Sequence, residues 1–251
     1  MDPLSLLLLA GAGFAAGTLN VIAGGGSFLT LPVLIFLGLP PGVANGTNRI
    51  GILLQNVGAV WSFDRSGVLD RRSLLLTALP ATLGAAAGTA AALVVGDDAF
   101  RRILAAVMVL ASLASIWRPT AGGEAGNASL DRGHPRALLL AAAFFGVGVY
   151  GGFIQAGVGF LILGATSLGG LDLVRGNAVK VFAVLCFTTL SLALFALGGR
   201  VAWAPGLALA AGTVCGGLLG ARLTVLRGHR WVRAVVTLMV IVFAVKLWLD
   251  G

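Results

Sequence analysis

Two cations stand inside long apolar stretches of this 251-residue chain: Arg49, in Ala44-Asn45-Gly46-Thr47-Asn48-Arg49, and Lys180, in Arg175-Gly176-Asn177-Ala178-Val179-Lys180. A charge in such surroundings is costly and is a functional hypothesis by default. The acidic residues Asp64, Asp70, Asp97, Asp98, Asp131 and Asp172 all fall in loops or at segment ends. No carboxylate within the apolar segments is therefore expected to pair with either cation, and an anionic ligand would supply the missing countercharge. Snorkelling of each side chain to a membrane surface is the alternative. Asn45, Asn48, Asn177 and Gln155, with Ser27 and Thr47, could orient the oxygens of such an anion, although amides also serve simply to join helices.

Glycine marks the second kind of candidate. Gly24, Gly25 and Gly26 interrupt a run that would otherwise continue from Leu4 to Leu39, and Gly157 and Gly159 follow Gln155 in the same manner. Each glycine costs a helix about 1 kcal/mol, so both places should break. Freed backbone groups at membrane depth must be buried in protein or line a cavity. The N–H groups that open the next helix would then be available to an oxyanion.

The elements that position these residues are those of a membrane protein. Hydrophobic residues make up 58% and charged residues 10% of the chain, and the mean hydropathy is +1.01; a soluble domain carries about 25% charged residues. The Met1-Asp2-Pro3 start lacks a basic n-region, so the first apolar segment is expected to be retained as a span. The net charge of +8 lies in short loops rather than in a patch with interleaved aromatics, which argues against a nucleic-acid partner. Cys186 and Cys215 have no ligand-spaced neighbours, and HExxH, GxSxG and Walker A patterns are absent from the sequence. No enzyme activity, metal or cofactor is expected.

Apolar segments fall at about 4–22, 27–38, 43–63, 73–95, 100–117, 136–154, 158–169, 174–197, 203–224 and 231–249. Most approach the roughly 20 residues of a membrane span, whereas 27–38 and 158–169 read as half-helices. Subtracting 49 from 180 gives 131, and subtracting 84 from 216 (Gly84, Gly216) gives 132, so the two halves are copies. The expected organisation is all-α and polytopic, with one repeat at 1–117, a polar connection at 118–135 and a second repeat at 136–251. In each repeat of about five segments, the second is the half-helix after the break. An odd number of crossings per half gathers Arg65, Arg71, Arg72, Arg118, Arg132, Arg136, Arg175, Arg222, Arg227 and Arg230 on one side. Because cytoplasmic loops collect Lys and Arg, the repeats are expected to be inverted, with both termini outside. Such carriers bind substrate near the midplane between the repeats.

Gly24-Gly25-Gly26-Ser27-Phe28-Leu29-Thr30-Leu31-Pro32, Gly38-Leu39-Pro40-Pro41, Ala44-Asn45-Gly46-Thr47-Asn48 and the later Gly169-Gly170-Leu171-Asp172 resemble the motifs of the TauE/SafE-type sulfite exporters, also called toluene sulfonate uptake permeases. The resemblance covers nearly the whole chain. It implies a multi-pass protein of the bacterial inner membrane, monomeric or homodimeric, that transports sulfur-containing anions such as sulfite or organosulfonates. Many members carry Thr-Ser where this chain has Thr47-Asn48. An anion channel and a non-transporting membrane scaffold or assembly factor are the competing readings.

Overall fold

A computed structural model describes the backbone at residues 2–23, 25–67, 71–117, 135–171 and 173–227. Gly24, most of the connection and the segment at 231–249 lie outside the described residues. Among those described, the chain forms nine helices and no strand: α1 (Pro3–Ala23), α2 (Ser27–Phe36), α3 (Pro41–Arg65), α4 (Arg71–Val94), α5 (Asp97–Trp117), α6 (Pro135–Phe153), α7 (Val158–Leu168), α8 (Leu173–Leu197) and α9 (Trp203–Arg227). The fold is all-α. Three of these helices are long and apolar enough to cross a membrane by length and composition alone, within α1, α4 and α8.

The short helices fall where the glycines place them. α2 has 10 residues and α7 has 11, so each is about 15 Å long, half the hydrocarbon core. Both end in the same device. Gly38 and Gly170 adopt φ +92° and +82°, a region open to glycine at little cost. The N–H of Leu39 then reaches back to Leu34 O (3.1 Å), and that of Leu171 to Thr166 O (3.1 Å). These six-to-one bonds satisfy carbonyls that a helix end would leave open. Pro40 and Pro41 follow and start α3, with proline at the first helical position, where its missing N–H is no loss.

Packing exchanges partners between the halves. α1 lies against α9, and α6 against α4. Bare backbone touches bare backbone at both seams. A Cβ at Gly13 or Gly17 would overlap the carbonyls of Leu209 and Thr213, and one at Gly84 or Gly88 those of Phe145 and Val149. Gly148 and Gly152 of α6 meet Ala81 and Ala85 of α4 in the same way. In lipid, where apolar side chains gain nothing by leaving one another's company, this close approach is what joins helices.

α3 is held at its start from two directions. The Gly42 N–H donates to Asp97 Oδ1 at 2.9 Å, a carboxylate at a helix N-terminus. Arg200 Nη1 stands 3.8 Å from the same oxygen, and the Ala202 N–H donates to Thr47 Oγ1 at 2.9 Å. The first half of α3 is thereby fixed among α5, the α8–α9 connection and the core.

The glycine seams make a direct prediction. Gly148→Leu should prevent closure of α4 on α6 and lower stability by about 1–3 kcal/mol or more. Gly146→Ala, where a Cβ meets nothing within 4 Å, should not lower the unfolding midpoint of the detergent-solubilised protein and should raise it slightly, since alanine favours the helix. Equal midpoints for the two variants would refute the packing account.

Candidate functional site

Asn45, Asn48 and Arg49 lie at i, i+3 and i+4 on α3, a spacing that puts three side chains on one face. All three are buried, and Arg49 is 0% exposed. That face meets both breaks. Towards the first, Thr30 of α2 donates its hydroxyl proton to Asn48 Oδ1 at 2.6 Å. Towards the second, Asn45 Nδ2 donates to Phe153 O at 2.7 Å.

Arg49 makes the largest contribution. Its Nη2 donates to the carbonyls of Gly152 (2.6 Å) and Gly151 (3.2 Å), and its Nη1 to Gln155 Oε1 (2.8 Å). Gly151 and Gly152 belong to the last turn of α6, whose open carbonyls carry partial negative charge. The Phe195 ring of α8 stacks under the guanidinium, 4.8 Å from its centroid to the guanidinium carbon. No carboxylate among the described residues bonds to Arg49.

Gln155 is the one described non-glycine residue with positive φ, at 64°. Such a conformation costs about 1–3 kcal/mol and persists where surroundings hold it. Here both ends of the amide are held, because Nε2 also donates to Thr188 Oγ1 of α8 at 2.5 Å. A buried hydroxyl pair continues the network: Thr89 Oγ1 donates to Ser191 Oγ (2.8 Å) and lies 3.1 Å from Gly152 O. Thr89, Thr188, Ser191 and Phe195 were not singled out from the sequence. Their signal is hydroxyls one turn apart on an apolar helix, Thr188 and Ser191, which is also the pattern of ordinary interhelical bonds.

Three polar atoms on this face remain without a hydrogen-bond partner: Asn45 Oδ1, Asn48 Nδ2 and Arg49 Nε. An unsatisfied buried group costs about 1–3 kcal/mol. Two of the three are donors, within one turn of each other.

Other candidates are placed differently. Thr47 faces the opposite way, towards Ala202. Lys180 is buried on α8, eight residues before Thr188, so it stands about 12 Å along the helix axis from the Gln155 contact. No hydrogen bond or ion pair joins it to another described residue. Asn177 lies one turn before Lys180 on the same helix and is half-buried. Asn20 donates to Gln55 Oε1 (3.0 Å), and Gln55 Nε2 to Gly17 O (3.1 Å), joining α1 to α3.

Gly25, Gly26, Ser27, Gly157 and Gly159 are buried, and the space beside Gly25 and Gly157 is filled by aromatic rings. A Cβ on Gly25 would lie 2.9 Å from the Phe160 ring, and one on Gly157, at φ +69°, would overlap the Phe28 ring. Each break thus receives a phenylalanine from the other half. Three of the opening N–H groups turn back on the breaks: Phe28 and Leu29 donate to Gly25 O and Gly26 O, and Phe160 to Gly157 O, at 3.0–3.1 Å. The side chains of α3 add donors of their own, Asn48 Nδ2 and Arg49 Nε.

The family model described as "Sulfite exporter TauE/SafE" matches residues 9–247. A probable membrane transporter protein of Haemophilus influenzae is 29% identical, covering 98% of this chain and 95% of its own length. The probable membrane transporter protein YfcA of Escherichia coli K12 is also 29% identical, over 100% and 92%. A probable membrane transporter protein, ORF9, of a Sinorhizobium species is 28% identical, over 95% and 90%. No solved structure matches.

The ring contact at the second break can be tested by a double-mutant cycle. Gly157→Ala should destabilise through both its left-handed φ, about 1–2 kcal/mol, and its overlap with Phe28, about 1–3 kcal/mol. Phe28→Ala should relieve the second part, so the double variant should be less damaged than the sum of the single changes. Additive losses in thermal unfolding would separate Phe28 from Gly157.

Proposed function

The chain belongs to the sulfite exporter TauE/SafE family, and from that membership and the geometry of α3 we propose that it is a secondary transporter of small sulfur-containing anions. It is a membrane transporter and not an enzyme. The observation that carries the substrate reading is the pair of buried donors without partners, Asn48 Nδ2 and Arg49 Nε, beside a guanidinium that no described carboxylate neutralises. The oxygens of sulfite or of a sulfonate head group accept such donors, and charge-assisted bonds of this kind are the strong ones. The helix C-terminus at Gly151 and Gly152 offsets only about half a unit of charge, which leaves a field attractive to an anion.

Gln155 holds the Arg49 fork, and Asn45 adds an amide within one turn. Gly25, Gly26, Ser27, Gly157 and Gly159 shape the breaks around the site, and Gly24, outside the described residues, is assigned to the first break by sequence alone. Lys180, about two turns along α8, supplies positive charge on the approach from the second repeat, Asn177 one turn further adds a neutral amide, and Thr47 holds α3 in register. The localisation that follows is the bacterial inner membrane.

The repeats are read as inverted, 1–117 against 136–251. That reading is supported by the Asp97–Arg200 pair. An odd count of crossings puts both residues at one end of the bundle, and an even count puts them at opposite ends. The exchange of partners, α1 on α9 and α6 on α4, has the same form.

Asn48→Ala should weaken binding of sulfite by about twofold to tenfold, the worth of one neutral hydrogen bond, and Arg49→Gln by about tenfold to a hundredfold. Lys180→Gln is expected to weaken it as well, whereas Arg65→Gln, stacked on Trp61 at the far end of α3, should not. Isothermal titration in detergent measures this, and unchanged affinity in both Asn48→Ala and Arg49→Gln would refute the site. Saturable counterflow in proteoliposomes separates a carrier from a channel, whose flux would not saturate.

Topology gives a further expected outcome. Ser66→Cys, in a background without Cys186 and Cys215, should resist a membrane-impermeant thiol reagent in intact cells. Labelling from outside would overturn the orientation.

A further inference from the structure

Three neutral oxygens converge on the Arg49 fork: the carbonyls of Gly151 and Gly152 and Oε1 of Gln155. The face of Phe195 closes the site from below. This is the solvation shell of a cation, built from dipoles and a ring face. Carriers assembled on broken helices use the same element, carbonyls at the C-terminal end of a half-helix, to hold the inorganic cation that drives them. Here the positive charge arrives on a side chain of α3. Gln155 keeps a strained backbone in order to turn its amide oxygen onto that charge, and the repeat-equivalent position holds a Lys, so charge is what the two halves share.

We propose that the Arg49 guanidinium is the resident counter-cation of the α6–α7 break, occupying the place of an inorganic coupling ion, so that this break needs none. Shortening the side chain turns the break into a binding site for a free guanidinium ion. The oxygens that receive Nη1 and Nη2 are held by α6 and by the bond from Gln155 Nε2 to Thr188, and a planar ion with the same donors fits them better than a spherical one.

The test uses full-length Arg49→Ala in detergent and its unfolding midpoint in low-millimolar guanidinium, sodium, potassium and choline chlorides at matched ionic strength. Guanidinium should raise the midpoint saturably by roughly 5 °C at excess over its dissociation constant, and choline should not; wild type should respond alike to all four salts. Identical responses of Arg49→Ala to all four, or a guanidinium-specific rise in wild type, overturns the proposal. Should Arg49→Ala not yield folded protein, Arg49→Lys should recover more folded material than the uncharged Arg49→Met, and equal recovery overturns it. No anionic substrate enters these measurements, so they stand or fall apart from the substrate reading.

Discussion

A helix that stops inside a membrane protein leaves carbonyls that lipid cannot solvate, and the end of α6 is such a stop. Thr89 donates to its Gly152 carbonyl, and Arg49 meets those of both Gly151 and Gly152. That contact dictates what lies around it. α3 must pass within a side chain's length of the break, which brings its opposite face against the α8–α9 connection. There only Gly46 leaves room, since a Cβ would overlap the Arg200 carbonyl. Thr47 and Gly42 then fasten the same turns to Ala202 and Asp97. The first half of α3 is thus bonded on two faces, and it cannot shift at one without loosening the other.

The breaks depend on each other as well. Phe28 and Phe160 each fill the space beside a glycine of the opposite half, and the glycine seams of α1 with α9 and α4 with α6 join the halves along their length. Contacts between bare backbones have little slack, because a carbonyl already lies where a methyl group would be. Sliding along a seam would drive side chains into these carbonyls. Hydrogen bonds through side chains, such as those of Gln155 and Thr188, can instead be remade in new geometry. The site is therefore the adaptable part of an interior that is otherwise tightly registered.

Much of this was legible in the residues. Segment boundaries followed from glycine, proline and charge, and the helices start and stop within a few residues of them. Arg49, Asn45, Asn48 and Gln155 stood out because burying such groups is costly, and the structure brings them together. What could not be read was direction. Thr47 differs from Asn48 by one residue and 100° of helix rotation, and only packing decides that it faces Ala202. The rings of Phe28 and Phe160 were hidden for a similar reason: phenylalanine in an apolar helix is unremarkable until its neighbour across the interface is a glycine. Thr89, Thr188 and Ser191 are small hydroxyls whose sequence pattern fits a site and a helix contact equally.

The duplication has not left the two breaks chemically alike. At the offset of 131, Arg49 matches Lys180, but Asn45 and Asn48 match Gly176 and Val179. Charge has been kept in both copies, while the amides at these two positions stand on α3 alone and α8 carries one at Asn177 instead. At the end of α6 the cation Arg49 answers a requirement of the broken backbone, whereas Lys180 bonds to no other described residue. Fully buried donor atoms left without partners cost stability, and among the described residues of α3 and α8 they are Asn48 Nδ2 and Arg49 Nε of α3. The amides of α3 are thus what most distinguishes the two copies at these equivalent positions.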